Sequence, residues 1–222
     1  MKLKTPLIIV NFKTYKEATD ERAVRLARIC YSVAKKTKTN IAVAVQNTDI
    51  YQISKAVKIP ILSEHIDPIT YGAHTGHILP EAVKKGGAAG VLINHSEDRL
   101  KLEEIKKTIE RAKESKLKTV VCAATTKMAT EITRFNPDFI AIEPPELIGG
   151  DISVSKARPS LITNTIKAVH KIRKIPILCG AGIKTKEDVE KAYQLGVKGI
   201  LVASGIIKAK NPEKILKEFA SV

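Results

Sequence analysis

The stretch Ile140-Ala141-Ile142-Glu143-Pro144-Pro145-Glu146-Leu147-Ile148-Gly149-Gly150 joins a short apolar run to a glutamate, two prolines and two glycines. An unbroken run of apolar, branched residues is typical of a β-strand that is buried on both faces. The prolines stiffen the chain directly after the strand, whereas the glycines at the far end leave it flexible. The pattern predicts a strand that carries Glu143 to the edge of a sheet beneath a loop. Glu143 is therefore a candidate general base, and a glutamate that merely faces water is the alternative.

Similar apolar runs recur along the chain and predict eight strands: Leu7 to Val10, Ile41 to Val45, Ile59 to Leu62, Gly90 to Ile93, Thr119 to Cys122, Phe139 to Ile142, Ile177 to Cys179 and Gly199 to Val202. Between them the apolar spacing becomes helical. Three predicted helix faces consist of Ala23, Ala27, Cys30 and Ala34; of Leu102, Ile105, Ile109 and Ala112; and of Ile162, Ile166, Val169 and Ile172. The last helix is predicted to begin with Asn211 as N-cap and Pro212 at its first position, and to bury Ile215, Leu216 and Phe219.

Two internal repeats indicate a repeated βα unit. Lys58-Ile59-Pro60-Ile61-Leu62 resembles Lys174-Ile175-Pro176-Ile177-Leu178, and Gly87 to Ile93 resembles Gly196 to Val202. Eight such units without a linker predict an α/β fold, a closed (β/α)8 barrel that forms a single domain over residues 1–222. A doubly wound open sheet is the structural alternative, but the first βα turn lacks G-x-G-x-x-G. Because the chain is shorter than the ~250 residues usual for this barrel, we expect trimmed helices, above all between Thr125 and Phe135.

The composition limits the classes of function. The formal net charge is +15, from 38 Lys and Arg against 23 Asp and Glu, which favours nucleic acid or a small phosphate-bearing substrate as partner. Aromatic residues make up only 4% of the chain, which disfavours nucleic acid because single strands stack on aromatic platforms. The sequence has no apolar run of membrane-spanning length and no signal peptide, so we expect a cytosolic protein without a membrane partner. Isolated Cys30, Cys122 and Cys179 argue against disulfides and a thiolate metal site.

Polar residues follow several predicted strands, at the end of the barrel where active sites lie. Asn11 and Lys13 follow the first strand, and strand periodicity points both to one side, where the lysine can neutralise an anionic substrate. His95 follows the fourth strand, just before a predicted helix whose free backbone N–H groups favour a neutral imidazole. For His65, His74 and His77, in the long segment after the third strand, we expect contact or surface roles, and His170 lies within a predicted helix.

Small residues end the seventh and eighth strands, in Cys179-Gly180-Ala181-Gly182 and Val202-Ala203-Ser204-Gly205. Such loops let backbone N–H groups approach a phosphate closely, at the place where barrels of this kind commonly bind one. One glycine-rich loop alone is weak evidence. Two of them, with Gly149-Gly150 as a third, predict a phosphate site.

Together these motifs resemble those of the triosephosphate isomerase family, along essentially the whole chain. The resemblance lies in Asn-x-Lys after the first strand, His-Ser-Glu after the fourth, and Glu-Pro with a loop ending in Ile-Gly after the sixth. Gly72-Ala73-His74-Thr75-Gly76 also resembles the family's third loop, which reaches into a neighbouring subunit. The short length, together with residues 94–97 and 143–149, looks like the archaeal branch, whose members are typically tetramers.

The resemblance implies a role for each site residue. Glu143 would move the proton between two substrate carbons, neutral His95 would polarise the carbonyl, and Lys13 would hold the anion together with Asn11. This family is itself a standard example of a glutamate base paired with a neutral histidine, so these roles are carried over rather than deduced. Backbone N–H groups of a further set would bind the phosphate: Ile148 or Gly149, Gly182, Ala203 and Ser204. Glu97 would support Lys13 and the third loop.

Three departures from the family pattern stand out. Pro145, Glu146 and Leu147 occupy the middle of the loop, which reads Val-Trp-Ala in bacterial and eukaryotic members. Gly182 replaces the usual serine of the seventh loop, and Ala203-Ser204 replaces a glycine pair. None of the three removes the base or the electrophile.

The resemblance therefore implies a cytosolic aldose–ketose isomerase that interconverts dihydroxyacetone phosphate and D-glyceraldehyde 3-phosphate through an enediol, in glycolysis or gluconeogenesis. No cofactor and no metal are expected. The expected partners are the phosphorylated triose and further copies of the chain, in a homotetramer built as a dimer of dimers. Two alternatives remain open: another phosphate-binding barrel isomerase, such as one acting on a phosphoribosyl amine, and a non-catalytic anion-binding barrel.

Overall fold

The computed structural model describes residues 2–144 and 153–222. Eight parallel strands pair in chain order, and the last pairs with the first to close a barrel. The strands are β1 Leu7–Asn11, β2 Asn40–Val45, β3 Ile61–Ser63, β4 Gly90–Ile93, β5 Lys118–Ala123, β6 Phe139–Ile142, β7 Ile177–Cys179 and β8 Gly199–Val202. The predicted (β/α)8 barrel is thus confirmed, and closure rules out the doubly wound open sheet.

The helices cover the outside of the barrel. Those described are α1 Glu21–Thr37, α2 Ile50–Ala56, α3 Pro80–Gly86, α4 Leu102–Glu114, α5 Thr126–Thr133, α6 Val154–Ala157, α7 Pro159–Ile172, α8 Lys186–Gln194, α9 Ser204–Ile207 and α10 Pro212–Ala220. The predicted short helix is α5, with 8 residues, but α2 and α3 are shorter still, with 7 each. The barrel is therefore shortened at several helices. In the two described ranges, no helix combines the length and apolar character needed to span a membrane.

Each strand buries both of its faces, which explains the continuous apolar runs. In β1, Leu7 and Ile9 belong to a cluster of inward-facing residues, whereas Ile8 and Val10 pack with the apolar faces of the surrounding helices. All four side chains are at most 1% exposed. This alternation separates a barrel interior from an outer layer between strands and helices, as expected for this fold.

The two repeated Lys-Ile-Pro-Ile-Leu segments lie where a chain enters the barrel. β3 begins at Ile61 rather than at the predicted Ile59, because Pro60 has no N–H for the ladder. The Pro60 carbonyl accepts a hydrogen bond from the N–H of Val43 at 3.1 Å, and the Pro176 carbonyl accepts one from that of Ile140 at 3.1 Å. Each proline therefore precedes its strand and still contributes an acceptor to the neighbouring strand.

The predicted helix faces are confirmed in their centres but not at two ends. Leu102 is 38% exposed at the start of α4, and Ile172 is 46% exposed at the end of α7, so neither belongs to the core. Terminal residues extend past the strands against which a helix packs. The start of α10 is as predicted: Asn211 Oδ1 accepts a hydrogen bond from the N–H of Lys214 at 3.0 Å, and Pro212 occupies the first turn.

Candidate active site

A cavity opens at the carboxyl ends of the strands, with about 470 Å³ of empty space that includes its open mouth. It is lined by nearly all of the predicted site residues that the structure describes: Asn11, Lys13, His95, Glu143, Gly182, Ala203 and Ser204. Glu97 lines an adjoining cavity together with Lys13 and His95. Ile148 and Gly149 lie outside the described residues. Residues that are far apart in the chain thus meet at one site, such as Asn11 and Ser204, which are 193 positions apart.

A turn rather than a strand places Asn11 and Lys13 together. β1 ends at Asn11, Phe12 is fully buried in the core, and Lys13 has a left-handed backbone with φ of 49°. The Lys13 N–H donates to Asn11 Oδ1 at 3.2 Å, which stabilises the turn. Both side chains line the cavity, as predicted, although the strand periodicity invoked for it ends two residues earlier. Lys13 Nζ forms an ion pair with Glu97 Oε1 at 2.7 Å.

His95 lies in a turn, not at a helix start. α4 begins seven residues later at Leu102, so the helix N-terminus predicted beside His95 is absent there. The N–H of Glu97 donates to His95 Nδ1 at 3.2 Å, so in the neutral ring the proton resides on Nε2. Burial, and then the charge of Lys13, lower the pKa of His95 to about 4. The neutral imidazole that we expected is supported, but its cause is burial rather than a helix dipole.

Asn94 fixes the turn that carries His95. Its φ is 59°, a left-handed conformation that asparagine tolerates better than most residues. Its side-chain amide donates to the Cys122 carbonyl at 2.8 Å and accepts from the N–H of Leu100 at 2.9 Å. One buried side chain therefore joins both ends of the β4–α4 loop to β5.

Glu143 stands directly after β6 and is only 3% exposed. Burial raises the pKa of its carboxyl to about 7, against smaller opposing effects of the Cys122 thiol and of Lys13. Oε1 lies 3.5 Å from His95 Nε2, and Oε2 has no hydrogen-bond partner among the described residues. A Cβ on Gly180 would lie 2.5 Å from Glu143 Cγ, so only glycine fits beside the carboxylate. The alternative of a solvated glutamate does not fit this environment.

The loops after β7 and β8 form a further part of the cavity wall. Gly182 has φ of 68°, which favours glycine, and it lines the cavity together with Ala203 and Ser204. The loop after β7 and the loop after β8 approach each other closely. A Cβ on Gly205 would lie only 2.9 Å from the Ile183 carbonyl oxygen. The small residues that the sequence analysis predicted for a phosphate site therefore line this cavity.

A buried aspartate organises the loop after β7. Asp188 Oδ2 accepts hydrogen bonds from the N–H groups of Lys184 and Thr185, both at 3.0 Å. Its Oδ1 accepts from Ser153 Oγ at 2.9 Å and pairs with Lys156 Nζ at 2.8 Å. Burial alone would raise the pKa of Asp188, but these hydrogen bonds lower it below its ordinary value of 3.8. Asp188 therefore connects the loop to the segment at α6.

Sequence reasoning missed several residues of this region. Tyr15 and Lys184 line the cavity, and Glu64 lines the adjoining one. Burial raises the pKa of Glu64 to about 7, with additional repulsion from Glu97 and Asp49 and a compensating backbone hydrogen bond at Lys13. Glu64 follows β3 directly, so the strand-end rule that selected Asn11 and His95 would have found it too.

His65 lines the adjoining cavity rather than the one with Glu143, and its ring makes contacts with two aspartates. His65 Nδ1 lies 2.9 Å from Asp98 Oδ2, and Nε2 lies 3.3 Å from Asp67 Oδ1. His77 Nδ1 lies 3.3 Å from the same Asp67 oxygen. The His65–Asp98 pair joins the long segment after β3 to the β4–α4 loop, and the two pairs with Asp67 lie within that segment, in line with the contact role expected for these histidines.

Comparison with known proteins identifies the family. A model of the family "Triosephosphate isomerase" matches residues 6–219. The chain belongs to the triosephosphate isomerase family. The triosephosphate isomerase of Methanothermobacter thermautotrophicus is 48% identical over 218 residues, which cover 98% of this chain and 95% of that protein.

Further members give the same result. Those of Methanobacterium bryantii and Saccharolobus solfataricus are 49% and 45% identical, each over 98% of this chain and over 97% and 96% of their own lengths. The crystal structure of triosephosphate isomerase from Bartonella henselae superposes with a TM-score of 0.77 at 19% identity, over 97% of this chain and 99% of that one. This structural likeness agrees with the closed barrel.

Proposed function

We propose that this chain is an aldose–ketose isomerase that interconverts dihydroxyacetone phosphate and D-glyceraldehyde 3-phosphate by proton transfer. The observation that carries the proposal is the pairing of Glu143 Oε1 with His95 Nε2 at 3.5 Å, inside a cavity that also holds Lys13. A buried carboxylate and a neutral N–H donor face the same space. The identity of the substrate is inferred from membership of the triosephosphate isomerase family.

Glu143 acts as the general base. Its carboxylate takes a proton from the carbon beside the substrate carbonyl, the C–H electron pair becomes the enediol double bond, and the carbonyl π electrons move to the oxygen, which gains a proton. The protonated carboxyl then gives a proton to the former carbonyl carbon, while the hydroxyl on the other carbon loses its proton and becomes the new carbonyl. A pKa of about 7 suits both halves of this cycle, because the group gives and takes a proton with similar ease near neutral pH.

His95 stabilises the charge that develops on the carbonyl oxygen. With its pKa near 4 the ring is neutral at pH 7, and the N–H of Glu97 at Nδ1 leaves the Nε2 proton facing the cavity. A donor already in place needs no reorganisation when the oxyanion forms. Asn94, which fixes the turn, therefore acts as a positioning residue for His95.

The phosphate is bound by charge and by backbone. Lys13, with Asn11 beside it, provides the ammonium, and Glu97 holds Lys13 in place at 2.7 Å. The N–H groups of Gly182, Ala203 and Ser204 provide neutral donors from the loops after β7 and β8. For Ile148 or Gly149, which lie outside the described residues, the phosphate contact remains part of the proposal. The reaction is proposed to need neither metal nor cofactor.

The wider assignment follows from the relatives. Curated triosephosphate isomerases of 45–49% identity come from archaea such as Methanobacterium bryantii and Saccharolobus solfataricus. This supports assigning the chain to the archaeal-type branch, and with it a homotetramer in the cytoplasm that serves glycolysis and gluconeogenesis. The segment after β3 would provide intersubunit contacts.

The proposal is tested by turnover of glyceraldehyde 3-phosphate. The wild-type chain should convert it to the ketose, and Glu143→Gln, which keeps the shape of the side chain, should lose roughly 10³-fold or more in kcat. Glu143→Asp should lower kcat far more than it weakens inhibition by inorganic phosphate. Undiminished turnover in Glu143→Gln would refute the role of Glu143, and a wild-type protein without turnover would refute the function.

A further inference from the structure

A second lysine, Lys184, lines the same cavity as Lys13. Lys184 follows β7 and Lys13 follows β1, and β8 lies between these two strands in the closed barrel. The two lysines therefore flank the loop after β8, which contributes Ala203 and Ser204 to the cavity wall. Among the described residues that line the cavity, Lys13 and Lys184 are the ones with permanently cationic side chains.

A hydrogen bond to Asp188 holds the backbone of Lys184, and the side chain of Lys184 packs against the residues that follow β8. The Lys184 N–H already donates to Asp188 Oδ2 at 3.0 Å, so it is used within the protein. A Cβ on Gly205 would lie 3.4 Å from Lys184 Cα and 3.7 Å from its Cγ, so the half-buried stem of the lysine packs beside Gly205. The ammonium is thus attached next to the backbone groups that are proposed to bind phosphate.

The negative charges at the site favour a second cation, the Lys184 ammonium, near the phosphate. Lys13 shares its charge with Glu97 at 2.7 Å, and Glu143 must be anionic when it acts as base. A phosphate monoester brings a further charge of about −1.5 to −2 at pH 7. Repulsion between this group and the Glu143 carboxylate opposes binding in a buried site, and a cation on the phosphate side offsets it.

We propose that Lys184 is a substrate-binding residue whose ammonium contacts the substrate phosphate. This inference rests on the proposed function for the identity of the phosphate ester. The phosphate keeps its charge throughout the reaction, so the contact is equally strong in the bound substrate and in the transition state. Loss of such uniform binding raises KM and leaves kcat nearly unchanged.

The test compares Lys184→Met with a matched control, Lys186→Met. Lys186 is two residues further along, half-exposed on α8 and paired with Glu190 at 3.7 Å, and its substitution removes the same charge outside the cavity. In Lys184→Met we expect about tenfold higher KM for glyceraldehyde 3-phosphate and about tenfold higher inhibition constant for inorganic phosphate. In Lys184→Arg we expect both constants to return to within about threefold of wild type. In Lys186→Met we expect less than about twofold changes.

The design separates this inference from the proposed function. Binding of inorganic phosphate is measured by calorimetry on the same full-length proteins, which requires no turnover. Weaker phosphate binding in Lys184→Met than in Lys186→Met supports the contact, even if the wild-type protein were found not to isomerise the triose. Equal phosphate binding in wild type and Lys184→Met, equal losses in both variants, or no phosphate binding by the wild type would each overturn it.

Discussion

Two carboxyl groups, those of Glu143 and Glu64, are held out of water beside the same lysine. Burial is the largest cause of the raised pKa in both, to about 7 in each case. Each also has one carboxyl oxygen without a hydrogen-bond partner among the described residues. A buried carboxylate without hydrogen-bond partners destabilises the folded state. A site that keeps a buried carboxylate as base therefore lowers the free energy of unfolding of the protein.

We predict that Glu143→Gln and Glu64→Gln both stabilise the protein, while only the first abolishes turnover. The folded-state pKa lies above the ordinary 4.5 for both groups, so the wild-type chain loses stability as the pH rises from about 4.5 to about 7. The gain on substitution should therefore be absent below pH 4.5 and complete above pH 7, on the order of 3 kcal/mol.

Urea unfolding of the three proteins at pH 4.5 and pH 8 measures this gain. A stabilisation of Glu64→Gln that is as large at pH 4.5 as at pH 8 would contradict burial of an ionisable group as its cause. Equal loss of turnover in both variants would contradict the division of roles between the two glutamates.

The β7–α8 loop depends on contacts that cross between elements. Asp188 belongs to the first turn of α8, where Thr185 caps the helix and accepts from the N–H of Asp188 at 3.3 Å. The same carboxylate holds Ser153 and Lys156, which lie about thirty residues earlier in the chain. The conformation of the β7–α8 loop is therefore determined by a buried ionic network as well as by its glycines.

We predict that Asp188→Asn destabilises the protein by about 2 kcal/mol and raises KM. The folded-state pKa of Asp188 is lowered, so its contribution to stability is present above pH 3.8 and is lost as the pH falls below that value. Glu187→Gln, a neighbouring exposed carboxyl of the same helix, is the matched control. Denaturant midpoints at pH 7 should differ between the two variants. Identical midpoints would show that the network contributes nothing.

The strands, their order and most of the site residues followed from the sequence because apolar runs and strand ends are local patterns. Glu143 and His95 could be selected since every strand of a parallel barrel ends on the same side. The cause of the neutral state of His95 could not be predicted, because it depends on a loop conformation that delays α4 to Leu102. The link through Asp188 was equally hidden, since partners distant in sequence leave no periodic signal.

The 222-residue chain carries a formal net charge of +15, and its proposed substrate is a dianion. Such a field increases the rate of encounter between opposite charges, and salt screens it over about 10 Å at 0.1 M. The excess of lysine, which by composition alone was compatible with several classes of partner, thus has a kinetic consequence for a small phosphate ester.

We predict that kcat/KM falls several-fold between about 10 mM and about 200 mM salt, while kcat changes little. The reason is that screening slows association but leaves the buried pairing of Glu143 and His95 almost unaffected. Steady-state kinetics in a salt that binds phosphate sites weakly, such as sodium acetate, measures the effect. An equal fall in kcat would indicate instead that salt disturbs the site itself.

Isomerisation in D₂O tests the central claim, proton transfer by a buried glutamate, most directly. The wild-type protein should convert dihydroxyacetone phosphate into an aldose that carries deuterium at the carbon next to the carbonyl, because the protonated Glu143 exchanges with solvent while the enediol is bound. The Glu143→Gln variant should neither convert the substrate nor incorporate deuterium. Product formed with no deuterium at all would indicate that hydrogen moves between the carbons without exchange with solvent, as in direct hydride transfer, and deuterium incorporated by Glu143→Gln would indicate another base. Either result would contradict the mechanism proposed for this site.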